Sequence, residues 1–230
     1  MPSSRSVVAL DPARSVVEQL RERVAAMEHK PAAQPVATLP GLASLVPLHA
    51  GATYAVDSAS LALALAAGAS QAGEWVGFAG CADFGVEAAA ELGIELSRTV
   101  LVPDPGEHWL EVTAALVDVL RVVVLRPPAS VDERTASVLD SRLRTRSAVL
   151  VVHGQWPRAD ARVSVEESVW TGPGSGAGQL QERRARVVVR RGARPPQRAE
   201  LTWPGVHRVD QPVRGLRTTS GSDDVRVRVG

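Results

Sequence analysis

The sequence has few of the residues that mark several classes of protein. It contains one cysteine, Cys81, among 230 residues, so an intramolecular disulfide is excluded and a reducing compartment is expected. Aromatic residues make up only 3%, so the core must be built from Val, Leu and Ala. No stretch approaches the roughly 20 apolar residues of a membrane-spanning helix, and MPSSRSVVAL at the N-terminus is unlike a signal peptide. We therefore expect a soluble cytoplasmic protein with no membrane partner.

Lysine is also nearly absent, because Lys30 is the only one and the remaining 25 of the 26 basic residues are arginines. The charges are unevenly distributed along the chain. Residues 181–230 hold 12 arginines and five acids, whereas residues 1–180 hold 14 basic and 20 acidic residues. The formal net charge of +1 therefore combines an acidic body with a basic C-terminal fifth.

Motifs for metal binding and hydrolysis are missing. The five histidines show no H-x-x-H or H-E-x-x-H spacing, and no cysteine pair accompanies them, which argues against a metal site. Ser58 and Ser60 do not lie in a G-x-S-x-G elbow. Cys81 is best interpreted as a buried structural thiol. The sequence predicts neither an enzyme nor a bound cofactor.

The N-terminal segment predicts an isolated amphipathic helix. Asp11 is a candidate N-cap and Pro12 follows at the first helical position. One face then carries Val17, Leu20, Val24 and Met27. The proline-containing run KPAAQPVAT separates this helix from the rest, so its apolar stripe requires a partner surface or the body of the same chain.

From residue 39 onward, strand and helix patterns alternate. The apolar runs VVVL and AVLVV are typical of strands buried on both faces of a parallel sheet. After Trp156 the pattern changes to two alternating segments, ARVSVEESVW and LQERRARVVVRR, which favour an antiparallel pair. The prediction is an α/β fold, a mostly parallel sheet between helices with an antiparallel extension toward the C-terminus. The expected organisation is an N-terminal helix (1–30), a linker (31–38), a core domain (39–204) and a flexible basic tail (205–230).

The order of these elements resembles the RecA recombinase core between Leu39 and about Val152. AGEWVGFAG is similar to the second core strand. FGVEAAAELGIELSRTVLVPDPGEHWLEV is similar to the segment in which a helix ends in "LG", a strand follows and a P-D-x-G-E turn opens the next helix. Pro103, Asp104, Gly106 and Glu107 stand in that turn. The resemblance implies a RecA-like core.

The resemblance also shows what has been lost at the nucleotide site. A phosphate loop uses G-x-x-x-x-G-K-[ST], because bare backbone N–H groups, a lysine and a hydroxyl surround phosphate and Mg²⁺. The corresponding run is AVDSASLA, residues 55–62. Ala55 and Ser60 occupy the glycine positions, Leu61 the lysine position and Ala62 the hydroxyl position. Leu125 and Arg126 stand where the metal-binding acid would be. The degenerate loop predicts a protein that does not hydrolyse ATP, with Leu61 and Ala62 filling the site as core.

Among RecA-like proteins that have lost the site, the chain resembles the actinobacterial ImuA-type accessory factors of the damage-induced mutasome. The features that carry this resemblance are its size, the short N-terminal helix, the degenerate loop and the basic C-terminal region. That resemblance implies a non-catalytic adaptor in error-prone translesion synthesis. Its partner would be an ImuB-type polymerase-like protein and, indirectly, an error-prone replicative-type DNA polymerase. Two alternatives stay open: a regulatory protein that binds RecA or, weakly, DNA, and a cell-division inhibitor of related fold.

Partner binding is predicted at two places. One is the apolar stripe of the N-terminal helix, and the other is the basic C-terminal region, where the competing interpretation is a solvated edge strand. The candidate residues are Leu20, Val24, Met27, Arg183, Arg184, Arg190, Arg191, Trp203, Arg208, Arg214 and Arg217.

Overall fold

A computed structural model of the chain describes residues 34–172, 182–204, 206–208 and 225–227. The chain divides after Ala33 into two compact units, and all described residues lie in the second, Gln34–Gly230. The predicted N-terminal helix, with Leu20, Val24 and Met27, lies outside the described residues. None of the helices in the described part is long and apolar enough to cross a bilayer.

The first part of the fold alternates strands and helices around a parallel sheet. A small antiparallel pair precedes it, formed by β1 (Pro35–Val36) and β2 (Leu48–His49) on either side of α1 (Pro40–Ala43). The parallel strands are β3 (Thr53–Val56), β4 (Val76–Ala79), β5 (Thr99–Val102), β6 (Val122–Leu125) and β7 (Val149–His153). The helices between them are α2 (Ala59–Gln71), α3 (Val86–Glu91), α4 (Trp109–Val119) and α5 (Glu133–Arg146).

The second part extends the same sheet with antiparallel strands. These are β8 (Ala161–Thr171), β9 (Glu182–Arg190), β10 (Gln197–Trp203), β11 (His207–Arg208) and β12 (Val225–Val227). The sheet order is β11-β10-β9-β8-β3-β7-β6-β4-β5, and β12 also pairs with β8. β8 connects the parallel and antiparallel parts of the sheet, because it runs parallel to β3 on one side and antiparallel to β9 on the other.

Side chains on the two faces of the sheet form two cores. On β6, Val122 and Val124 face the core around α2, whereas Val123 and Leu125 face the core formed with α4 and α5. All four are at most 1% exposed, so β6 is buried on both faces as its apolar run predicted. The α/β class, the mostly parallel sheet between helices and the antiparallel strands near the C-terminus are confirmed.

Two segments outside the predicted core also contribute to the second unit. Strand β1 lies in the run predicted as a linker, and Thr38 packs directly on α2. A Cβ at Gly68 would lie 2.6 Å from the Thr38 backbone, so only glycine allows this approach. Within the segment predicted as a tail, β11 and β12 pair with the sheet and Val206 is buried. Strands of two or three residues have no periodicity for a sequence analysis to detect.

Candidate functional site at the carboxyl end of the parallel strands

The connection between β3 and α2 is the place where a phosphate loop would lie. It consists of only Asp57 and Ser58, because β3 ends at Val56 and α2 begins at Ala59. A G-x-x-x-x-G-K loop wraps its backbone around phosphates with more residues than that. Two residues cannot surround a phosphate group, so the short connection itself departs from a phosphate loop.

The four positions that correspond to the loop motif belong to regular structure. Ala55 is a buried residue of β3, and Ser60 lies in the first turn of α2. Leu61 is fully buried and Ala62 is 3% exposed, both in the core beneath the sheet. The predicted placement of Leu61 and Ala62 in the core is confirmed.

Arg183 occupies the space beside the first turn of α2. It extends from β9, and its Nη1 donates a hydrogen bond to Ser60 Oγ at 2.8 Å. Ser60 Oγ is in turn hydrogen-bonded to Ser58 Oγ at 2.7 Å. The guanidinium lies 5.8 Å from the Trp170 ring centroid and 5.5 Å from the Trp203 ring centroid. A cation close to two aromatic rings is stabilised by their quadrupoles, so these contacts hold the partly buried Arg183 in place.

A positive charge beside a helix N-terminus interacts unfavourably with the helix dipole, and the negative charge of Asp57 offsets this interaction. Each carboxylate oxygen of Asp57 lies 3.2 Å from the Val165 amide nitrogen, which donates to them from β8. Burial raises the pKa of Asp57, while the Val165 N–H and the charges of His153 and Arg183 act in the opposite direction. Asp57 therefore connects the β3–α2 turn to the antiparallel extension.

The neighbouring strand ends carry a second charged pair. Arg126 follows β6, and its Nη1 donates to both carboxylate oxygens of Asp83, which follows β4, at 2.9 Å. The hydrogen bond from Arg126 lowers the pKa of Asp83. Its place shortly before the predicted helix FGVEAAAELGI makes Asp83 a candidate N-cap on sequence grounds, and this interpretation is wrong. Helix α3 begins at Val86 with Gly85 as N-cap, and Asp83 pairs with Arg126 instead.

Cys81 and His153 are two further titratable groups at this end of the sheet. Burial raises the pKa of the Cys81 thiol to about 11, so it stays protonated near neutral pH and is a poor nucleophile. Burial, together with Arg126, lowers the pKa of His153. Among the described residues, no three His, Cys, Asp or Glu side chains are grouped as a metal site would require.

The arginines from Arg183 to Arg198 form the basic cluster of the C-terminal region. Most of them contact acidic residues within the sheet. Arg186 contacts Glu167 of β8 at 3.1 Å and Glu200 of β10 at 3.6 Å. Both acids are the register partners of Arg186 on the two adjacent strands. Glu166, the extra residue of a β-bulge in β8, contacts Arg190 at 3.8 Å and Arg198 at 3.3 Å. Sequence analysis missed these acids as neighbours of the arginines. Alternation along β10 puts Glu200 on this face, but Glu166 and Glu167 are adjacent and share the face only because the bulge interrupts the alternation of β8.

The remaining partner-binding candidates fall into four groups. Arg184 pairs with Glu182, and Arg191 donates to the Leu45 carbonyl at 2.7 Å. Trp203 is 6% exposed and belongs to the core, so it is a structural residue beside Arg183 and not an exposed anchor. Arg208 belongs to β11. Arg214 and Arg217 lie outside the described residues, and partner binding at all these positions remains a prediction.

The fold and the site define an α/β protein in which the chain's own side chains, among them Arg183, lie beside the β3–α2 turn. The chain belongs to the family described as the MT3502 N-terminal domain, whose model matches residues 41–158, just over half of the chain. That match spans β2 to β7 and includes Asp57, Asp83 and Arg126. Arg183 and the antiparallel extension lie beyond it.

A protein of Mycobacterium tuberculosis, described as the uncharacterized protein Rv3395c, is 35% identical to this chain over 107 residues. The aligned part is 46% of this chain and 52% of that protein. The chain therefore spans about half the length of the curated relative that it matches.

Proposed function

We propose that this chain is a non-catalytic adaptor with a RecA-like core that supports error-prone translesion DNA synthesis through protein–protein contacts. The observation that carries the proposal is the closed β3–α2 turn. Its two-residue connection, buried Leu61 and inserted Arg183 leave a helix N-terminus whose surroundings are already occupied. A fold that keeps this frame without the residues of a phosphate loop is best suited to presenting surfaces.

The RecA-like part of the proposal is supported by the parallel sheet and by the turn before α4. In that turn, Asp104 Oδ1 accepts a hydrogen bond from the Gly106 N–H at 3.1 Å, and a short 3₁₀ helix, Gly106–His108, leads into α4. This is the P-D-x-G-E segment on which the resemblance was based.

The non-catalytic part is tested with the full chain by calorimetry. We expect no heat of binding at micromolar affinity when ATP and Mg²⁺ are titrated into the protein. Arg183→Ala, which empties the space beside Ser60, is the matched variant, and it too should bind no ATP because Leu61 stays buried and no lysine is supplied. A micromolar dissociation constant for the wild-type chain would overturn the proposal.

The adaptor part is tested with a purified ImuB-type polymerase-like protein from the same organism. We expect a stable complex with the full chain in solution, measured by light scattering coupled to gel filtration. Absence of a complex at concentrations of tens of micromolar would contradict this assignment.

A direct DNA-binding role is less well supported. Phosphate-backbone binding requires arginines whose charge is available to the DNA. Arg186, Arg190 and Arg198 contact Glu166, Glu167 and Glu200, so that face of the sheet carries both signs of charge. The alternative of a regulator that binds RecA through protein contacts would appear as complex formation with RecA in the same solution assay.

A further inference from the structure

The edge strand β5 differs from the other strands of the parallel sheet. β4 is the only strand that pairs with it in the described part of the chain. Its sequence, TVLV, is uncharged, and Leu101 is 42% exposed. Edge strands are commonly protected by charged side chains on the strand itself, and β5 has none.

No strand in the described part of the chain pairs with the backbone groups on the outer side of β5. Val102 directs its carbonyl toward β4, where it accepts from the Gly80 N–H at 2.9 Å. Because alternate residues of a parallel strand point their backbone groups to opposite sides, the N–H and C=O of Leu101 point away from β4. Pro103 has no N–H and sets the end of this available edge.

Three exposed apolar side chains lie on β5 and on the connection that precedes it. Val100 and Val102 pack into the core of α4 and α5, so Leu101 faces the opposite side, where α3 covers the sheet. The connection from β4 to β5 through α3 adds two more exposed apolar side chains, Val86 at 50% and Leu96 at 40%.

Acidic residues flank β5 along the chain, and we call these residues the acidic rim. Glu87, Glu91 and Glu95 are exposed on the connection before β5, and Asp104 and Glu107 are exposed directly after it. Arg98, the one arginine in this stretch, donates to the Gly73 carbonyl at 2.9 Å and is half-buried. The rim of the edge therefore has a strongly negative charge balance.

We propose that β5 and its acidic rim are a docking edge for a basic, extended segment of a partner protein, which adds to the sheet as a further strand. Backbone hydrogen bonds to Leu101 give such a segment its affinity, and alternating Arg or Lys side chains are favoured by the rim. A second copy of this chain is disfavoured, because pairing of two β5 edges brings two acidic rims together. Nucleic acid is disfavoured because the rim repels phosphates.

This inference rests on the proposed adaptor function only in that both require a protein partner. Tight ATP binding would overturn the adaptor proposal without changing the properties of the β5 edge. Failure of the peptide experiment below would remove the docking edge and leave the closed nucleotide site as it is.

The experiment measures binding of a fluorescein-labelled peptide, Arg-Val-Arg-Val-Arg-Val-amide, to the full chain by fluorescence anisotropy. The peptide Glu-Val-Glu-Val-Glu-Val-amide is the charge control. We expect the arginine peptide to bind, with an affinity that falls as salt is raised, and the glutamate peptide not to bind.

Two variants of Leu101 separate backbone pairing from apolar contact. Leu101→Pro removes the outward N–H, and proline is tolerated where an edge strand's N–H faces solvent. Leu101→Thr keeps the N–H and is the matched control. We expect at least a tenfold rise in Kd for Leu101→Pro and a rise of only a few-fold for Leu101→Thr. The double change Glu87→Gln, Glu91→Gln should raise Kd and flatten its salt dependence.

Hydrogen exchange on the wild-type chain gives an answer even if Leu101→Pro does not fold. Binding of the arginine peptide should slow exchange of the Leu101 amide more than that of amides in β8. The proposal is overturned by no binding, by equal binding of both peptides, or by protection confined to β8, where the peptide would have replaced Val225–Val227. If the chain forms a dimer and Leu101→Pro abolishes that dimer, the edge binds a second copy of the chain, and the proposal is overturned in this case too.

Discussion

Arg183 links three parts of the molecule through one side chain. It contacts Ser60 in α2, Trp170 in β8 and Trp203 in β10, while its own backbone belongs to β9. A cation–π contact contributes about 0.5–2 kcal/mol depending on desolvation. We therefore expect Arg183→Ala to lower the free energy of unfolding by about 1–3 kcal/mol.

The measurement is urea unfolding followed by tryptophan fluorescence. Arg184→Ala is the matched control, since Arg184 is the next residue on β9 and makes an exposed ion pair with Glu182. Exposed pairs of this kind contribute about 0–1 kcal/mol. Equal losses for the two variants would show that the contacts of Arg183 with the tryptophans are of no special importance.

Gly68 is a residue at which helix propensity and packing predict opposite signs. In the middle of α2, Gly→Ala would ordinarily stabilise the helix by about 1 kcal/mol. An added Cβ would lie 2.6 Å from the Thr38 backbone, so the segment before α1 would have to move. We expect Gly68→Ala to destabilise the protein by about 1–3 kcal/mol, as overpacking usually does.

Thermal unfolding followed by circular dichroism shows directly whether Gly68→Ala raises or lowers the stability of the protein. Gly85→Ala is the control, because its added Cβ would meet only Ala88 Cβ at 3.6 Å. A rise in Tm for Gly68→Ala would mean that residues 34–38 do not hold α2 in solution as they do in this structure.

At the scale of elements, α4 and α5 are joined by a charged contact. Asp118 of α4 accepts hydrogen bonds from Arg142 and Arg146 of α5. The hydrogen bond from Arg142 lowers the pKa of Asp118 to about 2, below the ordinary value of about 3.9. A pKa that is lowered in the folded state adds stability above the unfolded pKa, and that stability is lost as the pH falls from about 4 to about 2.

Asp118→Asn should therefore lower Tm at pH 7, and its difference from wild type should shrink between pH 4 and pH 2. Differential scanning calorimetry over that range provides the measurement. Glu111→Gln, an exposed position on the same helix, should show no comparable convergence. A difference between wild type and Asp118→Asn that stays constant down to pH 2 would contradict the role of the arginines.

The elements also show where sequence analysis succeeds. The buried strands β6 and β7 were predicted because VVVL and VLVV have no polar position, which only a strand covered on both faces accepts. The short strands β1, β11 and β12 were not predicted, because two or three residues carry no pattern and their pairing depends on distant partners. The charge balance of the β9 surface was not predicted either, since Glu166 and Glu200 contact its arginines only because of the strand register.

At the scale of the whole molecule, residues 206–208 of the C-terminal segment contribute to the stability of the sheet. Val206 is 1% exposed, and His207–Arg208 pairs with β10. Full burial of a valine side chain contributes about 1.5–3 kcal/mol. We expect deletion of residues 205–230 to be more destabilising, by about 2 kcal/mol, than deletion of residues 209–230.

Both truncated chains can be compared by urea unfolding at the same concentration. The shorter deletion is the control, because it removes the same 22 C-terminal residues and keeps Val206 and β11. Equal stability of the two would show that Val206 adds nothing measurable. Any loss of partner binding should be judged only on whichever truncation keeps its fold.

The sequence by itself determined the α/β class, the buried parallel strands and the absence of a G-x-x-x-x-G-K-[ST] run, because each depends on local pattern or on residue identity at particular positions. Tertiary structure decided what fills the place of the loop. Arg183 is separated from Ser60 by 123 positions, and only the antiparallel extension brings it back beside α2. It also decided that the basic cluster is largely paired and that β5 pairs only with β4 among the described strands. These features depend on which strands are neighbours, and neighbour identity is set by the packing of the whole sheet.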